Sequence, residues 1–145
     1  MKVVLQRVNN AKVLINNIEE KSIDSGIVVL LGIQKNDNEE DVDWLANKIV
    51  NMRIFKDQMD VMNLSLIDIN GSIMIISQFT LAAITSKGSK ASFHKSAKPI
   101  DAKLLYDEFV NEFKKEKNKI VEGVFGEYMD VSLTNKGPIT FNFKV

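Results

Sequence analysis

Ser77-Gln78-Phe79-Thr80-Leu81 places three polar side chains directly behind Ile73-Met74-Ile75-Ile76, a run that is apolar on both faces. Such a run is expected in a strand covered on each side, and burying serine, glutamine and threonine at its end costs free energy unless each finds hydrogen bonds. If strand geometry continues through the segment, Gln78 and Thr80 project to one face and Ser77 and Phe79 to the other. The segment is either a polar site at the end of a buried strand or the point where that strand reaches the surface. Asn135-Lys136-Gly137-Pro138-Ile139-Thr140 has a different logic. Gly137 permits backbone angles closed to other residues, while Pro138 fixes its own φ and removes an amide donor. Between two strands a Gly-Pro is usually only a turn; with a cis bond, it suits a place where two carbonyls must point the same way into a pocket.

Conventional nucleophilic machinery is sparse. The chain has no cysteine, so thiolate nucleophiles, disulfides and zinc-thiolate sites are excluded, and a serine triad would need the single histidine, His94, as its base. A lone loop histidine among lysines is more often a surface residue or a neighbour of phosphate. Asp37-Asn38-Glu39-Glu40-Asp41 offers oxygen ligands but lacks the glycine and spacing of a calcium loop, and reads better as a helix start. Neither a phosphate-binding loop nor a dinucleotide fingerprint is present. No metal and no cofactor are expected.

Charge narrows the partner. Lysine plus arginine equals aspartate plus glutamate at 19 each, which argues against coating nucleic acid by bulk positive charge. The distribution is uneven, however: no acid lies between Asp68 and Asp101, where Lys87, Lys90, Lys95 and Lys98 do, and none follows Asp130, where Lys136 and Lys144 do. The four loop lysines read first as a device for solubility and second as a phosphate site, and their place beside the first motif narrows the gap between the two readings. Met1-Lys2-Val3-Val4-Leu5-Gln6-Arg7 has too few apolar residues for a signal-peptide core or a membrane span. A soluble, unprocessed, cytoplasmic protein is the expectation.

The elements that must position these segments follow from patterning. At 145 residues and 45% hydrophobic content, one core and one domain over residues 1–145 are expected. Val3–Val8 and Ala11–Ile15 read as antiparallel strands, with Asn16-Asn17 a tight turn before Ile18, and Gly26–Ile33 as a central strand. Asp37 with Glu40 reads as a capping box opening a helix through Val42, Leu45, Ala46, Ile49 and Met52. A second helix is expected after Pro99, capped by Asp101, with Leu105, Tyr106, Phe109, Val110 and Phe113 inward, ending in the charged stretch Lys114 to Lys119. Asn70-Gly71 signals a turn, and Tyr128–Leu133 and Ile139–Val145 read as two closing strands. The fold class is α+β: a single domain with a curved, largely antiparallel, barrel-like sheet and two main α-helices.

Both segments resemble the two signature motifs of the D-aminoacyl-tRNA deacylase family. Gln6-Arg7-Val8, Leu31-Gly32-Ile33, Arg53-Ile54-Phe55 with Asp57, Met62-Asn63-Leu64-Ser65, Leu105-Tyr106 with Phe109, and Gly123-Val124-Phe125-Gly126 with Met129 match the same family in order. The resemblance implies hydrolysis of the ester of D-aminoacyl-tRNA, and of mischarged glycyl-tRNA, with L-aminoacyl-tRNA spared. It also implies a homodimer whose sites lie at the interface and receive the 3′-terminal aminoacyl-adenosine. Ser77, Gln78 and Thr80 are then the catalytic residues, and Phe79, Gly137 and Pro138 bind substrate, with Phe79 packing on the opposite face. Gly137 and Pro138 reach into the partner's pocket and reject L side chains. Either the Thr80 hydroxyl acts directly or the 2′-hydroxyl of the terminal ribose assists, with amides near Phe79 and Thr80 holding the ester. The second route is preferred, because Thr80 has no evident base. A rival class is a nonenzymatic RNA-end or nucleotide-binding module. Two positions depart from the family: Lys90-Ala91 stands where relatives carry Arg-Pro, losing the guanidinium fork, and Lys136 where they carry Asp.

Overall fold

The computed structural model describes residues 1–86, 88–115 and 118–145; Lys87 and residues 116–117 of the charged stretch after the second helix lie outside them. The chain forms β1 (Lys2–Ile15), β2 (Glu19–Ile23), β3 (Gly26–Gly32), α1 (Glu39–Val50), β4 (Phe55–Lys56), β5 (Met62–Leu64), β6 (Ser72–Ser77), α2 (Pro99–Lys114), β7 (Ile120–Glu122) and β8 (Met129–Lys144), with a short 3-10 helix at Phe79–Ala82. Hydrogen bonding runs β2-β1-β3-β6-β7, and β8 lies along β1. All three partners of β1 are antiparallel to it, while β3, β6 and β7 are mutually parallel. The sheet is therefore mixed and curls strongly. Its two ends approach each other: Lys21 Nζ on β2 donates to the Glu122 carbonyl on β7 at 3.2 Å, nearly closing a barrel.

Each face of the sheet is covered, as the doubly apolar runs in β3 and β6 require. Val3, Leu5, Ile27, Val29, Ile73 and Ile75 meet the two helices through Leu45, Ile49, Phe109 and Phe113. Val28, Met74 and Ile76 point the other way, into the curl, against Val8, Val13 and Ile23. Among the described residues no helix is long and apolar enough to cross a membrane.

Four local expectations change. The two N-terminal runs are one strand, because Asn9-Asn10 is absorbed as an irregularity in the pairing with β8 rather than as a turn. The turn falls at Asn16 and Asn17, both with positive φ (51° and 58°), the conformation that matches hairpin twist and that asparagine tolerates. Asn38, not Asp37, caps α1 and exchanges hydrogen bonds with Asp41, since the Asp37 carboxylate is engaged by the Met1 ammonium at 2.8 Å and the Gln34 amide at 2.6 Å. Asp101 does not cap α2 either; the helix begins at Pro99, whose missing N–H costs nothing there, and Asp101 sits in its first turn. Last, β8 is continuous through Gly137-Pro138, which separates no pair of strands.

Candidate active site

The first segment sits where β6 ends. Ser77 is its last residue, opposite Leu31 of β3, and the Gln78 amide donates to the Leu31 carbonyl at 2.7 Å before the chain turns into the 3-10 helix. Gly32 makes room for that turn: a Cβ there would stand 2.8 Å from Leu81 Cβ and 2.9 Å from the Gln78 carbonyl oxygen. Strand alternation thus stops at Ser77. Gln78 and Thr80 meet by another geometry, the Gln78 side-chain amide donating to Thr80 Oγ1 at 2.5 Å.

Two amides head this turn without a backbone partner among the described residues. Gln78 N–H is taken by Leu31 and Leu81 N–H by the Gln78 carbonyl (3.2 Å), which leaves the N–H groups of Phe79 and Thr80 free, as the first donors of a helical turn must be. Phe79 does not pack as expected. Because the strand has already ended, its ring leaves the sheet face, is 58% exposed and leans on Phe93 at a centroid distance of 5.1 Å. Ser77 and Phe79 form one side of an apolar pocket of about 240 Å³, completed by Leu31, Ile33, Ala97 and Phe125. Tyr106 packs against Phe125 of that lining: its hydroxyl donates to the Ile75 carbonyl at 3.0 Å and its ring lies 5.7 Å from that of Phe125. Burial first, then the nearby Glu122 and Asp107, push that hydroxyl's pKa upward, so it stays a neutral donor.

His94 pairs with Ser92 and with no residue of the first segment. Its Nδ1 lies 2.9 Å from Ser92 Oγ, on the exposed loop, and among the described residues the sole side-chain partner of Thr80 is Gln78. No group of three or more acidic or histidine side chains among the described residues could hold a metal ion.

The second segment bulges out of the β1–β8 ladder. Pairing runs Gln6 with Thr140 and then Val8 with Asn135, so the four residues Lys136 to Ile139 stand opposite Arg7 alone. The Gly137–Pro138 peptide is cis, and Gly137 has φ of 136°. A side chain at Gly137 is strained by that φ, and its Cβ would stand 2.8 Å from Ile139 Cγ1 and 3.0 Å from Arg7 Nη2. The Asn135 side chain closes the bulge, accepting from Ile139 N–H at 2.7 Å and donating to the Ile139 carbonyl at 3.2 Å and to Thr140 Oγ1 at 3.0 Å. Arg7 holds it from beneath, Nε donating to the Lys136 carbonyl at 3.0 Å and Nη1 to the Ile54 carbonyl. Gly137 and Pro138 are left exposed at the tip.

Within one chain the two segments stay apart. Gly137 and Lys136 share a cleft of about 1170 Å³ with Arg7 and Ser72, at the start of β6, whereas Ser77 ends that strand. Five residues of strand span roughly 16 Å, and Thr80 lies beyond. The supporting roles of Arg7, Asn135 and Gly32 do not follow from the motifs. A signal exists for Arg7: Val3, Leu5 and Arg7 share one parity in β1 and are all buried, so the arginine occupies a position that alternation reserves for an apolar side chain.

The family model for D-Tyr-tRNA(Tyr) deacylase matches residues 4–144. The D-aminoacyl-tRNA deacylases of Flavobacterium psychrophilum and Thermosipho africanus are 50% and 51% identical, each over 97% of this chain and 94% of their own length. Among solved structures, one described as a c-Myc DNA unwinding element binding protein superposes with a TM-score of 0.93 at 35% identity, over 100% of this chain and 99% of its own. A second, described as a probable eukaryotic D-amino acid tRNA deacylase, shares the fold with a TM-score of 0.84 at 18% identity, over 99% and 98%. With both motifs in place and the match running from end to end, the chain belongs to the D-Tyr-tRNA(Tyr) deacylase family.

Proposed function

We propose that this protein hydrolyses the ester joining a D-amino acid, or mischarged glycine, to the 3′-terminal adenosine of tRNA, sparing L-aminoacyl-tRNA, in the cytoplasm, with residues 1–145 acting as one unit. The observation that carries the reading is the lip of the apolar pocket, where two free amides, Phe79 and Thr80, stand beside the hydrogen-bonded Gln78–Thr80 pair. The pocket suits a purine, and Phe79 offers it a face. The amides then receive the oxyanion that develops on the ester carbonyl when water adds to its carbon. Thr80 does not act as a nucleophile: its oxygen accepts from an amide group that cannot take a proton, and no base adjoins it. The vicinal 2′-hydroxyl of the ribose orients the water, takes a proton from it as it adds to the ester carbon, and passes its own proton to the 3′ oxygen as the bond to that oxygen breaks, giving free amino acid and intact tRNA. Ser77 and Gln78 position the ester.

Gly137 and Pro138 act in trans. Their distance from Thr80 in the same chain supports a homodimer in which each protomer's exposed bulge enters its partner's site, setting the Gly137 and Pro138 carbonyls against an L side chain. Discrimination by rejection leaves the identity of the D side chain loosely read.

Comparing D-tyrosyl-, L-tyrosyl- and glycyl-tRNA hydrolysis by the purified protein, with a chelator control, tests this. The expected result is turnover of the D- and glycyl-esters only, insensitive to chelator. Equal turnover of the L-ester sinks the chirality reading. Tight binding of aminoacyl-tRNA analogues without turnover would favour a nucleic-acid-binding module instead, a reading encouraged by the structural neighbour described as a DNA-element binding protein.

A further inference from the structure

Residues 33–35 and 94–97 run side by side, joined by the Lys35 amide to the Lys95 carbonyl at 2.9 Å and the Ala97 amide to the Ile33 carbonyl at 3.1 Å. This ribbon borders two cavities. Ile33, Ser96 and Ala97 line the apolar pocket beside Phe79. One step along, Gln34, Lys35, Asn36, His94 and Lys95 line a second hollow of about 390 Å³. Two residues of extended chain cover about 7 Å, the length of one nucleotide step.

The hollow is polar and its cations are free. Among the described residues exposed Lys35 and Lys95 have no carboxylate within 4.0 Å, a state they share with Lys90, Lys98 and Lys136. The one carboxylate side chain in the hollow does not cancel them. Asp37 is held by the Met1 ammonium at 2.8 Å, and that ammonium also donates at 3.2 Å to the main-chain oxygen of Val145, which lines the hollow as well. Two ammonium groups, an imidazole and the side-chain amides of Gln34 and Asn36 offer donors from several sides and fit a phosphodiester.

We propose that Lys35, His94 and Lys95 bind the backbone phosphate immediately 5′ of the terminal adenosine, making the hollow the anchor that carries the tRNA end into the apolar pocket. The proposal rests on the deacylase reading. It goes beyond that reading by assigning a phosphate subsite outside the two motifs. An aromatic-edged pocket followed by a positive hollow is the arrangement by which single-stranded ends are held: a base stacks and the adjoining phosphate is neutralised.

The experiment compares two substrates, D-tyrosyl-tRNA and D-tyrosyl-adenosine, which carries the same ester but no phosphate. In the Lys35→Gln/Lys95→Gln double variant, the ratio of kcat/KM on tRNA to kcat/KM on the adenosine ester should fall about tenfold at low salt, through KM. The slope of log kcat/KM against log salt should flatten by about 0.7, the value for one phosphate on a single strand. Lys35→Arg/Lys95→Arg should restore both, since the charge is kept. An unchanged ratio and slope, or equal losses on both substrates, would overturn the phosphate site while leaving the deacylase reading standing. If the wild type cleaves neither ester, the deacylase reading fails and the site falls with it.

Discussion

Arg7 Nε donates to the carbonyl oxygen of Lys136 at 3.0 Å, across 129 positions of sequence, and this buried guanidinium is the inner wall against which the Gly137-Pro138 bulge rests. Only a planar fork reaches the Lys136 and Ile54 carbonyls together. Arg7→Met should therefore leave one buried and one partly buried acceptor unpaired and lower unfolding free energy by about 1–3 kcal/mol in urea titration. Because the bulge is then unsupported, the ratio of D- to L-tyrosyl-tRNA hydrolysis should fall as well, and Arg7→Lys should rescue it only in part. A variant with full stability and unaltered chiral discrimination would show that the bulge holds itself.

Gly32 matters for the opposite segment. The methyl of Gly32→Ala would have to displace Leu81 or the Gln78 carbonyl, both under 3 Å away, and with them the turn that carries the Phe79 and Thr80 amides. A shift on the order of 1 Å at a reacting centre costs about a hundredfold in rate. The expected outcome is a protein that still folds but whose kcat on D-tyrosyl-tRNA falls by that order. Retained kcat with an intact fold would mean that these amides do not hold the oxyanion.

Thr80→Ala separates the two chemical routes. Removing the hydroxyl ends the Gln78–Thr80 hydrogen bond but keeps both amides, so a fall in kcat of about tenfold or less is expected, well short of what losing a nucleophile or a general base costs. A loss beyond about a thousandfold in a folded variant would return the hydroxyl to the centre of the mechanism.

Acid should loosen the protein through its aspartates at turns. Asp57 is held below the ordinary carboxylate range chiefly by the Val61 amide, helped by Met59 and Asn63, and Asp68 by the amide and hydroxyl of Ser65. A carboxyl whose folded pKa is depressed contributes stability above its unfolded value, about 3.9, and loses that contribution as pH falls through the lower folded value. Stability from these groups should thus be level near neutrality and decline below about pH 4. Asp57→Asn should lower the urea midpoint at pH 7 and converge with the wild type in strong acid; a constant difference at every pH would assign the effect to packing.

How much of this was legible varies with how local its causes are. The inward face of α1, Val42, Leu45, Ala46 and Ile49, follows from helical spacing and is buried as that spacing requires. Its cap does not, since Asp37 and Asn38 are both good caps with an acid three residues on, and the choice is made by the Met1 ammonium, remote in sequence. Likewise Ser77 to Thr80 stand out because polar residues end a doubly apolar strand. The continuity of β8 was hidden because glycine and proline break most strands, and what spans the break is Asn135 locally and Arg7 from the other end of the chain. The strand's turn into a 3-10 helix depends on the space left at Gly32, which a reading of Ser77–Leu81 alone does not contain.

Lys136 is one of the two places where the resemblance sets this chain apart, and its role follows from how it is held. Arg7 binds its backbone carbonyl while its side chain stays exposed, without a carboxylate within 4.0 Å among the described residues, at the edge of the cleft beside Gly137. In the proposed dimer the bulge enters the partner's site, which brings this ammonium toward the tRNA end bound there. Lys136→Asp should leave the fold and the D-to-L ratio intact, because neither the Arg7 contact nor the Asn135 bracket uses the side chain. It should raise KM for D-tyrosyl-tRNA severalfold at low salt and flatten the salt dependence, since one attractive charge becomes repulsive. If KM and salt dependence both stay as in the wild type, Lys136 lies away from the bound tRNA, and the trans placement of the bulge would have to be redrawn.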